Sequence, residues 1–305
     1  MNIAIGIDMG GSRVKGVAVD ADGNILHRLY TDIDHKDGGL WKKVVADTMN
    51  ELLDKLNAKA SVIGISAPGL PDGNNTSIAF MPGRIPGLEN FVWRDFLKYP
   101  VYVLNDAVAA LIAETKFGAA KKRKHVVMLT LGTGVGGAIL IDGKPYQGAF
   151  HKAGHMGHMV INDEGEADVT GMPGSLEECI GNCSILKRSK GRFSSTDEMM
   201  IAYRKGDVEA KEIWLKSVRQ LAIGLASITN ILSPQTIVLG GGITEAGDDL
   251  FDPLNKYMSQ YEWRAGGNKV EIKRAMYGDL SGAIGAACFA MRITDYADKI
   301  TDYTD

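Results

Sequence analysis

Cysteine is scarce in this chain: Cys179, Cys183 and Cys288 are the only three in 305 residues. That is too few for a disulfide framework at this length, so a reducing, cytoplasmic setting is expected. Long apolar runs are missing too. None approaches the ~20 residues a membrane helix needs, so no membrane partner is expected. The first residues enter a strand pattern directly and lack the basic-then-apolar layout of a secretory signal. Charge of one sign is not in excess: the formal net charge is −3, which offers no footprint for nucleic acid. The one basic run, Lys121-Lys122-Arg123-Lys124, precedes a buried-strand pattern and reads as a solvated loop. No Walker loop occurs.

Glycine is abundant instead, with 37 residues where ordinary usage is about 7%. Most of the excess falls in a few clusters. The first segment reads as strand (Ile3 to Asp8), glycine turn (Met9-Gly10-Gly11-Ser12) and strand (Val14 to Val19). Asp22-Gly23 turns into a third strand from Ile25 to Tyr30. Helical spacing of apolar residues runs from Trp41 to Leu56. A short buried strand from Ser61 to Ser66 ends in Ala67-Pro68-Gly69.

Much of this pattern recurs. Val126 to Leu131 is a strand, Gly132 to Gly137 a glycine turn, Ala138 to Ile141 a strand, and Asp142-Gly143 a turn into another. The repeat predicts an internally duplicated α/β architecture, with a period far too long for a solenoid. Between the copies, Val101 to Leu104 is a strand ending at Asn105-Asp106, followed by a helix from Ala107 to Phe117. Later come a long helix from about Val208 to Ile231, the strand Thr236 to Leu239 running into Gly240-Gly241-Gly242, and a small-residue helix over Ser281 to Met291. The polar tail from Thr294 is expected to fray.

A phosphate needs backbone N–H groups aimed at it with no side chain in the way, and glycine permits that approach. Gly10-Gly11-Ser12 provides bare amides and a hydroxyl, with Asp8 before it and Lys15 after it. A carboxylate at Asp8 suits Mg²⁺, which prefers oxygen ligands and keeps most of its waters. One such loop is equally well a ligand-free hairpin. Two more, at Thr130 to Gly137 and at Gly240 to Gly242, turn the balance toward a nucleotide held between two lobes. Asn105-Asp106 has two readings, helix cap or general base for a hydroxyl beside a γ-phosphate.

Taken in order, several stretches resemble the ROK family of repressors, open reading frames and kinases. They are Asp8 to Ser12, Gly64 to Gly69, Asn105-Asp106-Ala107, Leu131 to Gly137, Gly154-His155-Met156-Gly157-His158-Met159, Leu176-Glu177 and Leu239 to Gly242. The resemblance runs from Ile3 to about Met291. It implies a two-lobed actin-like (ribonuclease H-like) ATPase fold with duplicated α/β domains. An N-terminal lobe over 1-115 would be rejoined by the helix at 281-297, and the second lobe would span 116-280. It further implies ATP and Mg²⁺ as cofactors and a sugar as substrate, with Asp106 as the catalytic base. The phosphates fall to Gly10, Gly11, Ser12, Lys15, Gly132, Thr133, Gly134 and Gly136. The adenosine falls to Gly240, Gly241 and Gly242. The sugar falls to Gly69, Arg84, Asn105, His155, His158 and Glu177.

Three departures from the family pattern stand out. Where the family carries a cysteine-rich zinc knuckle, this chain reads Asp168-Val169-Thr170-Gly171-Met172-Pro173-Gly174-Ser175. Every thiolate ligand is gone, and no structural zinc is expected. Cys179 and Cys183 are expected to be core residues. The glutamate of the family's Glu-x-Gly-His motif is replaced by His155, and an asparagine aligned with Arg84 is also lost. Both changes add positive character, so a kinase for an anionic or N-acetylated sugar is the alternative to a plain hexose kinase. A non-catalytic sugar sensor is the second alternative. The family's repressors place a DNA-binding segment before the first glycine loop; here that loop begins by residue 8, and no nucleic-acid partner is expected. A homodimer is left open.

Overall fold

The computed structural model describes residues 3–10, 13–33, 39–56, 60–81 and 85–301, with backbone alone over 293–301. The chain divides into two compact units. One comprises Met1–Lys122, Gln147–Ala153 and Asp279–Asp305, the other Arg123–Tyr146 and Gly154–Gly278. The first break thus falls at 122/123 rather than 115/116, and a short insertion joins the first unit. Within that insertion the His151 ring lies beside Gly73.

The first unit is built on β1 (Ala4–Met9), β2 (Arg13–Val19), β3 (Ile25–Asp32), β4 (Val62–Ala67) and β7 (Val101–Asn105), in the order β3-β2-β1-β4-β7. A two-stranded hairpin, β5 (Leu70–Pro71) and β6 (Ile78–Phe80), follows β4. β1 and β2 pair antiparallel across the first glycine turn, whereas β1, β4 and β7 are parallel. β1 and β4 are buried at every position, as strands covered on both faces must be. The covering helices include α1 (Leu40–Leu56) and α3 (Asp106–Lys116), and α2 (Trp93–Leu97) sets Trp93 against Trp41 of α1. α1 buries Trp41, Val45, Met49 and Leu52, one face at helical spacing.

The second unit repeats the plan. Its strands are β8 (Val126–Leu131), β9 (Val135–Ile141), β10 (Lys144–Tyr146), β11 (Thr236–Gly240) and β12 (Glu271–Arg274), in the order β10-β9-β8-β11-β12. Again a hairpin pairs antiparallel and the remaining strands run parallel. Its helices are α4 (Leu176–Ile180), α5 (Ile185–Arg188), α6 (Thr196–Arg204), α7 (Val208–Leu232) and α8 (Asp248–Tyr261). α7 buries Trp214, Val218, Leu221, Leu225 and Ile228 in this unit's core. β9 begins at Val135, so Gly136 and Gly137 lie in the ladder opposite Thr130 and Leu129 rather than in the turn.

The last helix, α9 (Ser281–Thr301), returns to the first unit and packs on β1, β4 and α3. Its helical backbone continues ten residues past Met291, through the segment that composition marked as frayed. The approach is close because glycines meet backbone. A Cβ on Gly6 would lie 1.9 Å from the Ala283 carbonyl oxygen, and one on Gly64 would lie 2.0 Å from that of Ala286. Gly285 in turn leaves room for the Ala109 carbonyl of α3, which a Cβ would approach to 1.7 Å.

Candidate functional site

In the first unit the chemistry-bearing residues gather at the C-terminal ends of adjacent parallel strands, where open α/β sheets place ligands. Asp8 of β1 pairs in register with Ser66 of β4, and Ala67 with Asn105 of β7. Asp8 is buried; Ser66 Oγ donates to its Oδ1 at 2.7 Å, and Lys15 Nζ stands 3.4 Å from Oδ2. Burial pushes the Asp8 carboxyl up, opposed by the Lys15 charge and the Ser66 hydrogen bond. Lys15 also donates to the Asp279 carbonyl at 2.9 Å. Gly282, in the first turn of α9, lies so close that a Cβ there would be 2.6 Å from Asp8 Oδ1. Ser66, Asp279 and Gly282 were not among the expected site residues. They lie 58 or more residues from Asp8 in the chain, so no local pattern announces them.

With one oxygen engaged by Ser66 and the other facing Lys15, Asp8 suits a hydration water of Mg²⁺ better than the metal itself. Gly10 donates its N–H to the Arg13 carbonyl at 3.0 Å, closing the β1–β2 turn, so that amide is not aimed at a phosphate. Gly11, Ser12 and Arg84 lie outside the described residues.

The β7–α3 junction separates the two readings of Asn105-Asp106. Asn105 is the cap: its Oδ1 accepts from the N–H groups of Ala107 at 3.0 Å and Val108 at 3.3 Å. Its Nδ2 donates to the Gly69 carbonyl at 3.0 Å, tying the turn after β4 to the start of α3. Gly69 holds a φ of +102°, and a Cβ there would meet Met81 and Phe80 at 2.7 Å. Asp106 is the first helical residue and is half-buried, with Oδ1 accepting from Ala107 N–H at 2.8 Å. Asn105→Ala is therefore expected to lower stability by ~1–2 kcal/mol, the worth of a good cap. Denaturant titration checks this, and an unchanged midpoint would refute it.

In the second unit the glycine turn is Gly132-Thr133-Gly134. Gly132 N–H donates to the Gly134 carbonyl, while the carbonyls of Gly132 and Thr133 accept from Asn182 and Cys183. Among the described residues no protein acceptor takes the Thr133 or Gly134 amide, so two bare N–H groups remain at the β8–β9 turn. Glu177 of α4 is buried; its Oε2 accepts from Val135 N–H at 2.8 Å, and a Cβ on Gly134 would lie 2.1 Å from it. The His155–His158 turn is pressed on the same strand: a Cβ on Gly157 would lie 1.9 Å from the Val135 carbonyl. His155 is half-buried at the head of that turn. Val135 thus bonds Glu177 by its N–H, while its carbonyl lies close against Gly157 of the histidine turn.

Gly240 ends β11, next to the end of β8, and Gly241 and Gly242 follow it. Gly240 abuts Met128 and Ala275, and Gly241 combines a φ of +88° with contact on Leu131. Gly242 alone faces open space.

The knuckle-like loop holds a hydrogen-bonded carboxylate. Asp168 Oδ2 lies 2.8 Å from His158 Nδ1, and Oδ1 accepts from Thr170 N–H and Oγ. Among the described residues no group of three or more His, Cys, Asp or Glu side chains is arranged to hold a metal ion. Cys179 is buried but Cys183 is exposed, which corrects its assignment to the core: it lies in the irregular turn after α4. Elemental analysis of the purified protein should find zinc well below one equivalent. Stoichiometric zinc that survives chelation would contradict that expectation.

The chain matches the model of the ROK family over residues 4–293. It is 28% identical to a glucokinase of Streptomyces coelicolor, an alignment covering 95% of this chain and 98% of that protein. Its fold superposes on a ROK hexokinase from Thermus thermophilus with a TM-score of 0.84, at 27% identity over 96% of this chain and 99% of that one. A ROK family glucokinase from Streptomyces griseus, solved with glucose and AMPPNP, gives a TM-score of 0.81 at 25% identity, covering 95% and 100% of the two chains. The architecture is that of the actin-like ATPases.

Proposed function

The chain belongs to the ROK family, and from that premise we propose that it is an ATP-dependent sugar kinase. A sugar hydroxyl oxygen attacks the γ-phosphorus of ATP, the bond to the β,γ-bridging oxygen breaks, and ADP leaves. Asp106 accepts the hydroxyl proton as that oxygen attacks. The bare amides of Thr133 and Gly134 hydrogen-bond phosphate oxygens, and the open face of Gly242 lies against the adenosine. His158 and the remaining oxygen of Glu177 bind sugar hydroxyls. Asp8 would hold the Mg²⁺ that accompanies the nucleotide through one of its waters, and that ion would supply charge neutralisation on the phosphates.

The observation that carries this reading is the division of labour at the β7–α3 junction. Asn105 supplies the cap, so helix formation does not require a carboxylate at Asp106. Capping, the competing explanation for that acid, is already accounted for. Coupled measurement of ADP release tests the reading across neutral sugars, N-acetylated amino sugars, sugar acids and polyols. Sugar-dependent turnover with kcat/KM of ~10⁴ M⁻¹s⁻¹ or more for one substrate is expected. Turnover should need Mg²⁺. Sugar binding by calorimetry without any turnover would mark a non-catalytic sensor instead.

A second reading concerns the sugar. His155 occupies the turn where the family pattern has a glutamate, so a strong anionic acceptor is replaced by a group that donates or carries positive charge. This favours a sugar with a carboxylate or an acyl amide over one with only hydroxyls. The same panel decides it: glucose as the best substrate would end the idea.

A further inference from the structure

We infer that Asp168 is a positioning residue, which holds His158 in the tautomer that leaves Nε2 bare and fastens that ring to the helix bearing Glu177. The inference rests on the kinase reading only for what Nε2 meets.

The geometry starts at the Asp168 carboxylate, whose side chain is fully buried while that of His158 is 29% exposed. Oδ1 accepts three hydrogen bonds: Thr170 N–H at 2.8 Å, Thr170 Oγ at 2.7 Å and Met172 N–H at 3.1 Å. Oδ2 lies 2.8 Å from His158 Nδ1. Burial by itself would raise this carboxyl, but hydrogen bonds from Thr170, His158 and Ser175 outweigh it and hold the group well below the usual carboxylate range. An ionised carboxylate has no proton to give, so the Nδ1 proton must belong to the ring. In the neutral ring Nε2 is then an acceptor, suited to the O–H of a polyol.

The same carboxylate reaches the second sugar-binding element. Ser175, which is completely buried, helps to hold the Asp168 carboxyl low and also caps α4, its Oγ accepting from Glu178 N–H at 3.4 Å. Leu176 N–H donates to the Met159 carbonyl, joining the start of α4 to the residue after His158. His158 and Glu177 are therefore set by one polar hub made only of protein groups.

Asparagine at 168 makes this testable, because the substitution has a forced orientation. Three donors converge on the Oδ1 position, so the amide carbonyl must sit there and the NH₂ must face His158 Nδ1. The ring then gives up its Nδ1 proton and carries it on Nε2, turning an acceptor into a donor.

Ring nitrogen NMR on ¹⁵N-histidine-labelled full-length protein reads this directly, at about pH 8, above the ordinary histidine range. His158→Gln identifies the resonance. Wild-type His158 should be protonated at Nδ1 and bare at Nε2, and Asp168→Asn should reverse the pair. Sugar KM should rise about tenfold or more in that variant, as expected for a mismatched hydrogen bond. KM for ATP should stay within about twofold, since no ATP contact changes. Wild type protonated at Nε2, or a folded Asp168→Asn protein still protonated at Nδ1, overturns the inference. If the variant does not fold, the wild-type spectrum alone decides. The expected tautomers in a protein that phosphorylates no sugar would support the positioning role and defeat the kinase reading.

Discussion

Replacing Asp106 with asparagine is expected to lower kcat by ~10²–10⁴-fold, the usual worth of a general base. Asparagine keeps an oxygen that can accept from Ala107 N–H, the bond that Asp106 Oδ1 now takes at 2.8 Å. The cap stays with Asn105, so α3 should form and the variant should melt close to the wild type. Nucleotide affinity should be unchanged, since the amides of Thr133 and Gly134 and the Gly242 face are untouched. What is lost is a group able to take a proton. Rate measurements at saturating sugar and MgATP, together with a melting curve, provide the check. Undiminished turnover in a folded Asp106→Asn protein would remove Asp106 from the mechanism. An inactive and unfolded one would return it to the helix cap.

The second large effect is on the fold. Gly285→Ala is expected to destabilise the first unit by ~3 kcal/mol or more, at the upper end of overpacking costs. Two terms compete. Alanine is the better helix former, by ~1 kcal/mol inside a helix. Against this, its Cβ would stand 1.7 Å from the Ala109 carbonyl oxygen and 3.0 Å from Ala109 Cα. Both are backbone of α3, which no rotamer change can move. To restore ordinary contact, α9 and α3 must separate by more than an ångström. α3 carries Asp106 at its first turn, and α9 places Gly282 against Asp8, so the shift should also lower activity. Calorimetric melting should show the transition moving down by several degrees, at ~2–4 °C per kcal/mol in a unit of this size. An unchanged or raised transition would show that the helices yield more easily than backbone packing suggests.

Local features of the chain were legible where they rest on neighbouring residues. The Asn105 side chain reaches only two and three positions ahead to cap α3. The apolar stripes of α1 and α7 declare themselves within a few turns. The duplicated hairpin, with its glycine turn, foretold two sheets of like order. The order of the glycine and histidine motifs is specific enough to point to the family without any tertiary contact.

Other features depended on groups far apart in the chain. Glycine spacing alone could not show that β9 starts at Val135; pairing with β8 decides that. The last helix, expected over 281-297, runs on to Thr301. Asp168 stands where the family pattern has a thiolate, and the sequence does not say which donors will face its carboxylate. Two of its partners are local, Thr170 and Met172, but His158, ten residues away, reaches it only once the loop has closed.

The sequence by itself determined the periodic elements, the caps and turns, and the family, since each depends on spacing within a short stretch. Only the tertiary structure decided that Ser66 hydrogen-bonds Asp8 across 58 residues and that the Asp279 carbonyl takes Lys15 across 264. It alone decided that Gly6, Gly64 and Gly285 are among the places where backbone meets backbone. Those contacts are selected by the packing of whole elements, and no short-range hydrogen bond or hydrophobic period encodes which distant partner a residue will meet.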